Sequence, residues 1–114
     1  MKRHSVDAVL LRWRDIPAQV IVGQGRKRAR ARLSGRFQNA IDRAAMRAKK
    51  RNADAYLSEW VREPLKLEAE DAAADLQAAA DRLAVRIETA YSDERLSALV
   101  RNRGLADDQG VLTP

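Results

Sequence analysis

The spacing of apolar residues changes at Ser34, and that change fixes the order in which structural elements can follow one another. Before it, Val6-Asp7-Ala8-Val9-Leu10-Leu11-Arg12-Trp13 and Ala18-Gln19-Val20-Ile21-Val22 are short, apolar and rich in β-branched residues. Between them, Arg14-Asp15-Ile16-Pro17 carries turn formers, so the pattern predicts an N-terminal β-hairpin. Gly23-Gln24-Gly25 closes the second strand as a turn, and Arg26-Lys27-Arg28-Ala29-Arg30-Ala31-Arg32 follows with five basic residues in seven. Its alternation fits either a third strand or an exposed basic arm. After Ser34, a good N-cap residue, Phe37, Ile41, Ala44 and Ala48 recur at helical spacing and predict a helix over about 35–49.

The second half reads as helical. Beyond the Lys49-Lys50-Arg51-Asn52 break, a short helix is predicted over about 54–62, pairing Tyr56 with Trp60 and Leu57 with Val61. Glu63-Pro64 ends it, and a long alanine-rich helix is predicted from Pro64 to about Tyr91. Its acids, Glu68, Glu70, Asp71 and Asp75, come early and Arg82 and Arg86 come late, as the helix dipole favours. Ala69, Ala72, Leu76, Ala79 and Leu83 form a seam of small and branched residues, expected to pack on another helix, either the chain's last one or a second copy. Ser92 caps that last helix, which runs through Leu96, Leu99 and Val100 and stops at Gly104. The expectation is a single α+β domain over 1–104, with 64–104 as a helical extension and 105–114 as a flexible tail.

At 114 residues with 46% hydrophobic but only 4% aromatic residues, such a domain has to build its core from close contacts between small side chains. The absence of cysteine excludes disulfides, thiolate nucleophiles and cysteine-based metal sites. The single histidine, His4, excludes a multi-histidine metal site. Gly23-Gln24-Gly25 lacks the third glycine of a dinucleotide fingerprint and the Gly-Lys-Ser/Thr of a phosphate loop. Asp71 and Asp75 lie one helical turn apart without a further ligand type converging on them, so a solvated face is their expected role. Trp13 and Trp60 could stack on a base or ligand, but in a chain this poor in aromatics they are assigned to the core. No apolar run reaches the roughly 18–20 residues that a membrane span needs. Asp7 and Arg12 interrupt what would be the apolar part of a signal peptide, so a cytoplasmic protein that does not engage membranes is expected.

Charge is divided unevenly. Residues 1–51 carry 15 Lys/Arg against Asp7, Asp15 and Asp42, a net of +12, whereas residues 52–114 carry 7 against 13 Asp/Glu, a net of −6. A chain with one basic and one acidic end presents two electrostatic surfaces. The candidate anion- or partner-binding residues are Arg26, Lys27, Arg28, Arg30 and Arg32, together with Arg36, Arg43, Arg47 and Lys50, which fall on one stripe at 100° per residue.

Three segments carry a resemblance: Trp13-Arg14-Asp15-Ile16-Pro17-Ala18-Gln19-Val20, then Arg36-Phe37-Gln38-Asn39-Ala40-Ile41-Asp42-Arg43-Ala44-Ala45-Met46, then Asp54-Ala55-Tyr56-Leu57-Ser58-Glu59-Trp60. Together they resemble a small bacterial family known as "virulence factor", over about residues 6–62. The resemblance implies an accessory subunit accompanying proteins of folate- and corrinoid-linked methyl transfer, that is, one-carbon metabolism. It implies no catalytic residues.

The leading expectation is therefore a non-catalytic accessory or protein-interaction module without a cofactor, partnered by another subunit or a second copy. The alternative is a nonspecific nucleic-acid-binding protein that uses the basic half. A carboxylate–arginine enzyme site built from Asp15, Arg14 and Asp42 ranks third.

Overall fold

The computed structural model describes residues 6–50, 52–67 and 75–106. Strands β1 (Val6–Trp13), β2 (Ile16–Gln24) and β3 (Lys27–Arg32) lead into helices α1 (Gly35–Arg47) and α2 (Ala53–Leu57). Strand β4 (Trp60–Leu65), helix α3 (Leu76–Ala90) and helix α4 (Asp93–Arg101) follow. The strands form one antiparallel sheet in the order β3-β2-β1-β4. The α+β class, the N-terminal hairpin and the helical switch at Ser34 are as the sequence implies, and residues 27–32 settle as a third strand.

Alternation sorts the sheet into two faces. Leu10 stands opposite Val20 and Val20 opposite Ala31, while Ala8, Val22 and Ala29 make the neighbouring row, and all six are buried. Onto this face α3 sets Ala79, Ala80, Leu83 and Ala84, and it packs on β2 and β3. Alanine opposite alanine lets the helix lie close to the strands. Phe37, Ala40, Ile41, Ala44 and Ala45 of α1 are also buried, and α1 meets α4 through Leu96, Leu99 and Val100.

The hairpin turn holds Arg14 at φ 51°, and the β1–β2 register shifts between Leu11 and Arg12, where Ala18 has no residue opposite it on β1. Beyond that bulge Trp13 and Ile16 are wholly buried. Trp13 donates its indole N–H to the Tyr56 carbonyl at 2.9 Å, and a Cβ placed on Gly104 would come within 2.9 Å of its ring. Gly104 has φ +90°, so the α4 terminus needs glycine for both conformation and space.

Two helical expectations are corrected. The helix expected over 54–62 ends at Leu57, and residues 60–65 form β4, paired with β1 from Trp13–Trp60 to Ala8–Leu65. Tyr56 and Trp60 still touch, with ring centroids 6.1 Å apart, but across the end of a helix and the start of a strand. Pairing with a strand some 50 residues away overrode a local i,i+4 pattern, and Pro64 suits an edge strand as well as a helix start. The alanine-rich helix begins at Leu76, not Pro64, and Asp75 caps it by accepting the Ala78 N–H at 2.7 Å. Of the expected helix seam, Ala69 and Ala72 lie outside the described residues, and so does Asp71. Leu76 is half-buried, while Ala79 and Leu83 are buried on α3, the helix that packs on the chain's own sheet.

Leu105 and Ala106, which fall in the expected tail, are bonded to the fold: the Ala106 N–H donates to Asp15 Oδ2 at 2.6 Å and the Leu105 carbonyl accepts from Asn102 at 2.9 Å. Residues 107–114 lie outside the described residues. No described helix is long and apolar enough to cross a membrane.

Candidate functional site: the open face of the sheet

The sheet face turned away from α3 carries the odd-numbered residues of β1 as far as Leu11 and of β2 from Gln19 onward, with the even-numbered residues of β3 and β4; past the bulge, Trp13 and Pro17 are buried instead. Strand pairing places Arg30, Ile21, Val9 and Pro64 in one row, and Arg32, Gln19, Leu11 and Arg62 in the next. A third row holds Arg28, Gly23 and Asp7. Arginines thus flank a central apolar strip on both sides. Ile21 is buried and Val9 and Leu11 are half-buried, apart from the main core and with no helix of the described residues packed over them, whereas Arg28, Arg30, Arg32 and Arg62 are exposed. At the sheet's β3–α1 end a groove of about 660 Å³ is lined by Leu11, Gln19, Arg32, Gly35, Gln38 and Trp60, among others.

Both edges of the sheet are blunted. On β3 the outward Arg30 carbonyl accepts from Gln77 Nε2 at 2.8 Å, and on β4 Pro64 offers no N–H. A further strand is therefore poorly templated at either edge, and the face is the accessible part of the sheet.

The nine candidate cations fall into two groups. Arg36 is fully engaged: its Nε and Nη1 pair with Glu88 and Asp93, each at 3.0 Å, its Nη2 donates to the Glu88 carbonyl at 2.8 Å, and its guanidinium lies 4.7 Å from the Phe37 ring centroid. Lys50 lies beyond the end of α1 and pairs with Glu59 at 3.4 Å. The expected stripe is reduced to Arg43 and Arg47, because its two ends were recruited to bind elements together. By contrast, Arg30 and Arg32 make no ion pair with any described residue, and Arg28 donates only to the Gly25 and Lys27 carbonyls. Arg26 and Lys27 sit exposed at the turn between β2 and β3. Arg62, which does not stand out in the sequence, joins the face and likewise makes no ion pair with a described residue.

The carboxylates serve the architecture. Ser34 occupies the N-cap position of α1 but donates its Oγ to Glu88 at 2.6 Å, and its N–H reaches the same carboxylate at 3.1 Å. Glu88 of α3 therefore holds the start of α1 from another helix. Partial burial pushes its carboxyl upward, but the hydrogen bonds from Ser34 and the charge of Arg36 outweigh this and hold it below the usual glutamate range. Glu59 behaves alike: burial opposes ionisation, and Arg14 and Lys50 more than reverse that. The expected trio of Asp15, Arg14 and Asp42 does not come together. Asp15 pairs with Arg12 at 3.2 Å, Arg14 with Glu59 at 3.2 Å, and Asp42 accepts from Gln38 on α1. Among the described residues no three His, Cys, Asp or Glu side chains converge on a metal position.

Trp60, expected in the core, packs partly against it and also lines this groove, while Gln19 and Gln38 do not stand out in the sequence because they reach the groove from separate elements, β2 and α1. The only available signal was the alternation of β2, which puts Gln19 on the face opposite Val20.

Fold and surface together define a class: a small α+β protein in which, among the described residues, helices cover one side of a four-stranded antiparallel sheet and leave a basic surface on the other. Residues 11–100 match the model of a protein family described as "Virulence factor", and the chain belongs to that family. The match extends beyond the 6–62 stretch that carries the resemblance and takes in α3 and nearly all of α4. No curated protein and no solved structure matches the chain.

Proposed function

We propose that this chain is a non-catalytic interaction module that docks an anionic partner on the open face of its sheet. The observation that carries this reading is the contrast within one set of arginines: Arg30, Arg32 and Arg62 stand exposed, with no ion pair to any described residue, beside a half-buried apolar strip, although the described residues include acids enough to pair them. Exposed charge around apolar surface is the usual make-up of a recognition patch. In this reading the module works in the cytoplasm, carries no cofactor and acts by positioning its partner. The resemblance described above adds a setting, an accessory role beside folate- and corrinoid-linked methyl-transfer proteins.

The test compares two charge-reversed proteins recovered from their native cells by affinity tag. Arg30→Glu/Arg32→Glu/Arg62→Glu is expected to lose the partner that the wild type retains, and Arg43→Glu/Arg47→Glu on α1 to keep it, with both melting as the wild type does. Retention by the first variant and loss by the second would overturn the assignment to the sheet face.

A further inference from the structure

We infer that the anionic partner is a single-stranded nucleic acid lying across the open sheet face, with its phosphates along β3 and one base against Trp60. This rests on the interaction reading above and names its ligand. Arg28, Arg30 and Arg32 leave the same side of the strand at every second residue, so successive side-chain stems leave the backbone roughly 6.8 Å apart; Arg30 and Arg32 extend outward, while Arg28 folds back across Gly23 onto the Gly25 and Lys27 carbonyls and would have to turn outward to meet a phosphate. That interval is comparable to the distance between neighbouring phosphates of an extended single strand. Arginine, with its planar fork of donors, is suited to phosphate oxygens, and β3 uses arginine at all three positions. Arg62 on β4 lies across the sheet in the row of Arg32 and provides a second rim.

Cations alone would describe any polyanion site. The groove beyond Arg32 supplies what a generic patch lacks. Trp60, half-buried against the core and in edge contact with Tyr56 at 6.1 Å and 83°, lines it, and Gln19 and Gln38 line it as well. An indole is a stacking surface that tolerates every base, and the two amides offer both donors and acceptors to a base edge. These three groups are scattered over 42 positions of sequence and meet only through the sheet order and the placement of α1. An acidic peptide is the rival occupant, but extended peptides bind sheets by adding a strand at an edge, and Gln77 and Pro64 blunt both edges.

The experiment uses the purified full chain and labelled oligo(dT), oligo(rA), a duplex of equal length and polyglutamate, at low and near-physiological salt. Single strands are expected to bind more tightly than the duplex. Affinity should fall with a log–log salt slope of roughly 2–3, from three to four phosphates at about 0.7 each. Trp13 is wholly buried, so quenching of tryptophan emission by unlabelled oligo(dT) reports on Trp60. Trp60→Leu is expected to weaken oligo(dT) binding about tenfold or more and abolish the quenching. Should that variant fold poorly, Arg30→Ala/Arg32→Ala on the exposed strand is expected to weaken binding and lower the salt slope, with quenching of the wild type still read directly. Equal binding of duplex and single strands without quenching would overturn the inference. So would polyglutamate binding as well as oligo(dT), which would leave the interaction reading standing with an acidic protein as partner. Failure of every polyanion to bind would also overturn it, and the recovery experiment above would then decide the interaction reading on its own.

Discussion

Arg36 and Arg30 are six residues apart and chemically identical, yet one is enclosed by partners and the other meets solvent. Arg36 ties the start of α1 to the end of α3 and to the first turn of α4, through Glu88, its carbonyl and Asp93. Arg12 does similar work between Asp15 and Glu63, with a further short bond to the Arg14 carbonyl, and Arg14 joins the hairpin turn to Glu59 and the Arg103 carbonyl. On the open face, Arg30, Arg32 and Arg62 join no other element among the described residues, and Arg28 bonds only the nearby Gly25 and Lys27 carbonyls. A basic composition therefore divides into cations that hold elements in place and cations left available, and only the second kind bears on recognition.

The sharpest way to break this distinction is Arg36→Ala. It removes two ion pairs, a bond to a helix-terminal carbonyl and a stacked contact on Phe37, while leaving Glu88 without its cation. A loss of about 2–3 kcal/mol in chemical denaturation is expected. A loss no larger than that of a surface alanine substitution would show that Arg36 is as idle as Arg30.

A smaller effect, with a pH signature, is expected for Glu88→Gln. Because its native pKa is held below the unfolded value, the stabilisation from Glu88 is complete above the ordinary glutamate pKa of about 4.3 and is lost as pH falls through the lower native value. The carboxylate is partly exposed, so the cost near neutral pH is expected at about 1 kcal/mol. Melting curves from neutral to acid pH should show a shallower acid limb in the variant, with the remaining slope due in part to Glu59, whose pKa is lowered in the same sense.

The smallest effect belongs to the open face. Arg30→Ala, Arg32→Ala and Arg62→Ala are expected to change stability by no more than about 0.5 kcal/mol each. Removing neighbouring like charges is expected to be neutral or slightly stabilising. A loss above about 1 kcal/mol at any of them would assign that arginine to the architecture instead.

Much of the fold was legible because its signals are local. The hairpin follows from two β-branched runs around Asp15 and Pro17, and α1 from Phe37, Ile41 and Ala44 repeating after Ser34. Strand β4 was not, because Trp-Val-Arg-Glu-Pro-Leu has no clean alternation, and its extended form comes from β1, which it meets only in the folded chain. Residues 28–32 displayed their alternation openly, so half of the candidate site could be read as a strand or an arm. The other half, Arg62, Trp60, Gln19 and Gln38, could not, since nothing short of the strand order places β4 two strands away from β2 and next to the same surface. Ser34 was legible as a helix start but not in its bonding, because Glu88 lies 54 residues on.

The clasp at the hairpin turn has a consequence for how the chain is made. Asp15 gives its N–H to the Gly104 carbonyl at 2.8 Å and accepts the Ala106 N–H on its carboxylate, while Gly104 closes over Trp13. On a ribosome the hairpin turn is made some 90 residues before Gly104 and Ala106, so Asp15 stays bonded to water and one side of Trp13 stays uncovered even after Tyr56 has arrived to stack on it. At about 5–20 residues per second, that wait lasts roughly 5–18 s, the interval in which a chaperone would find Trp13 partly exposed.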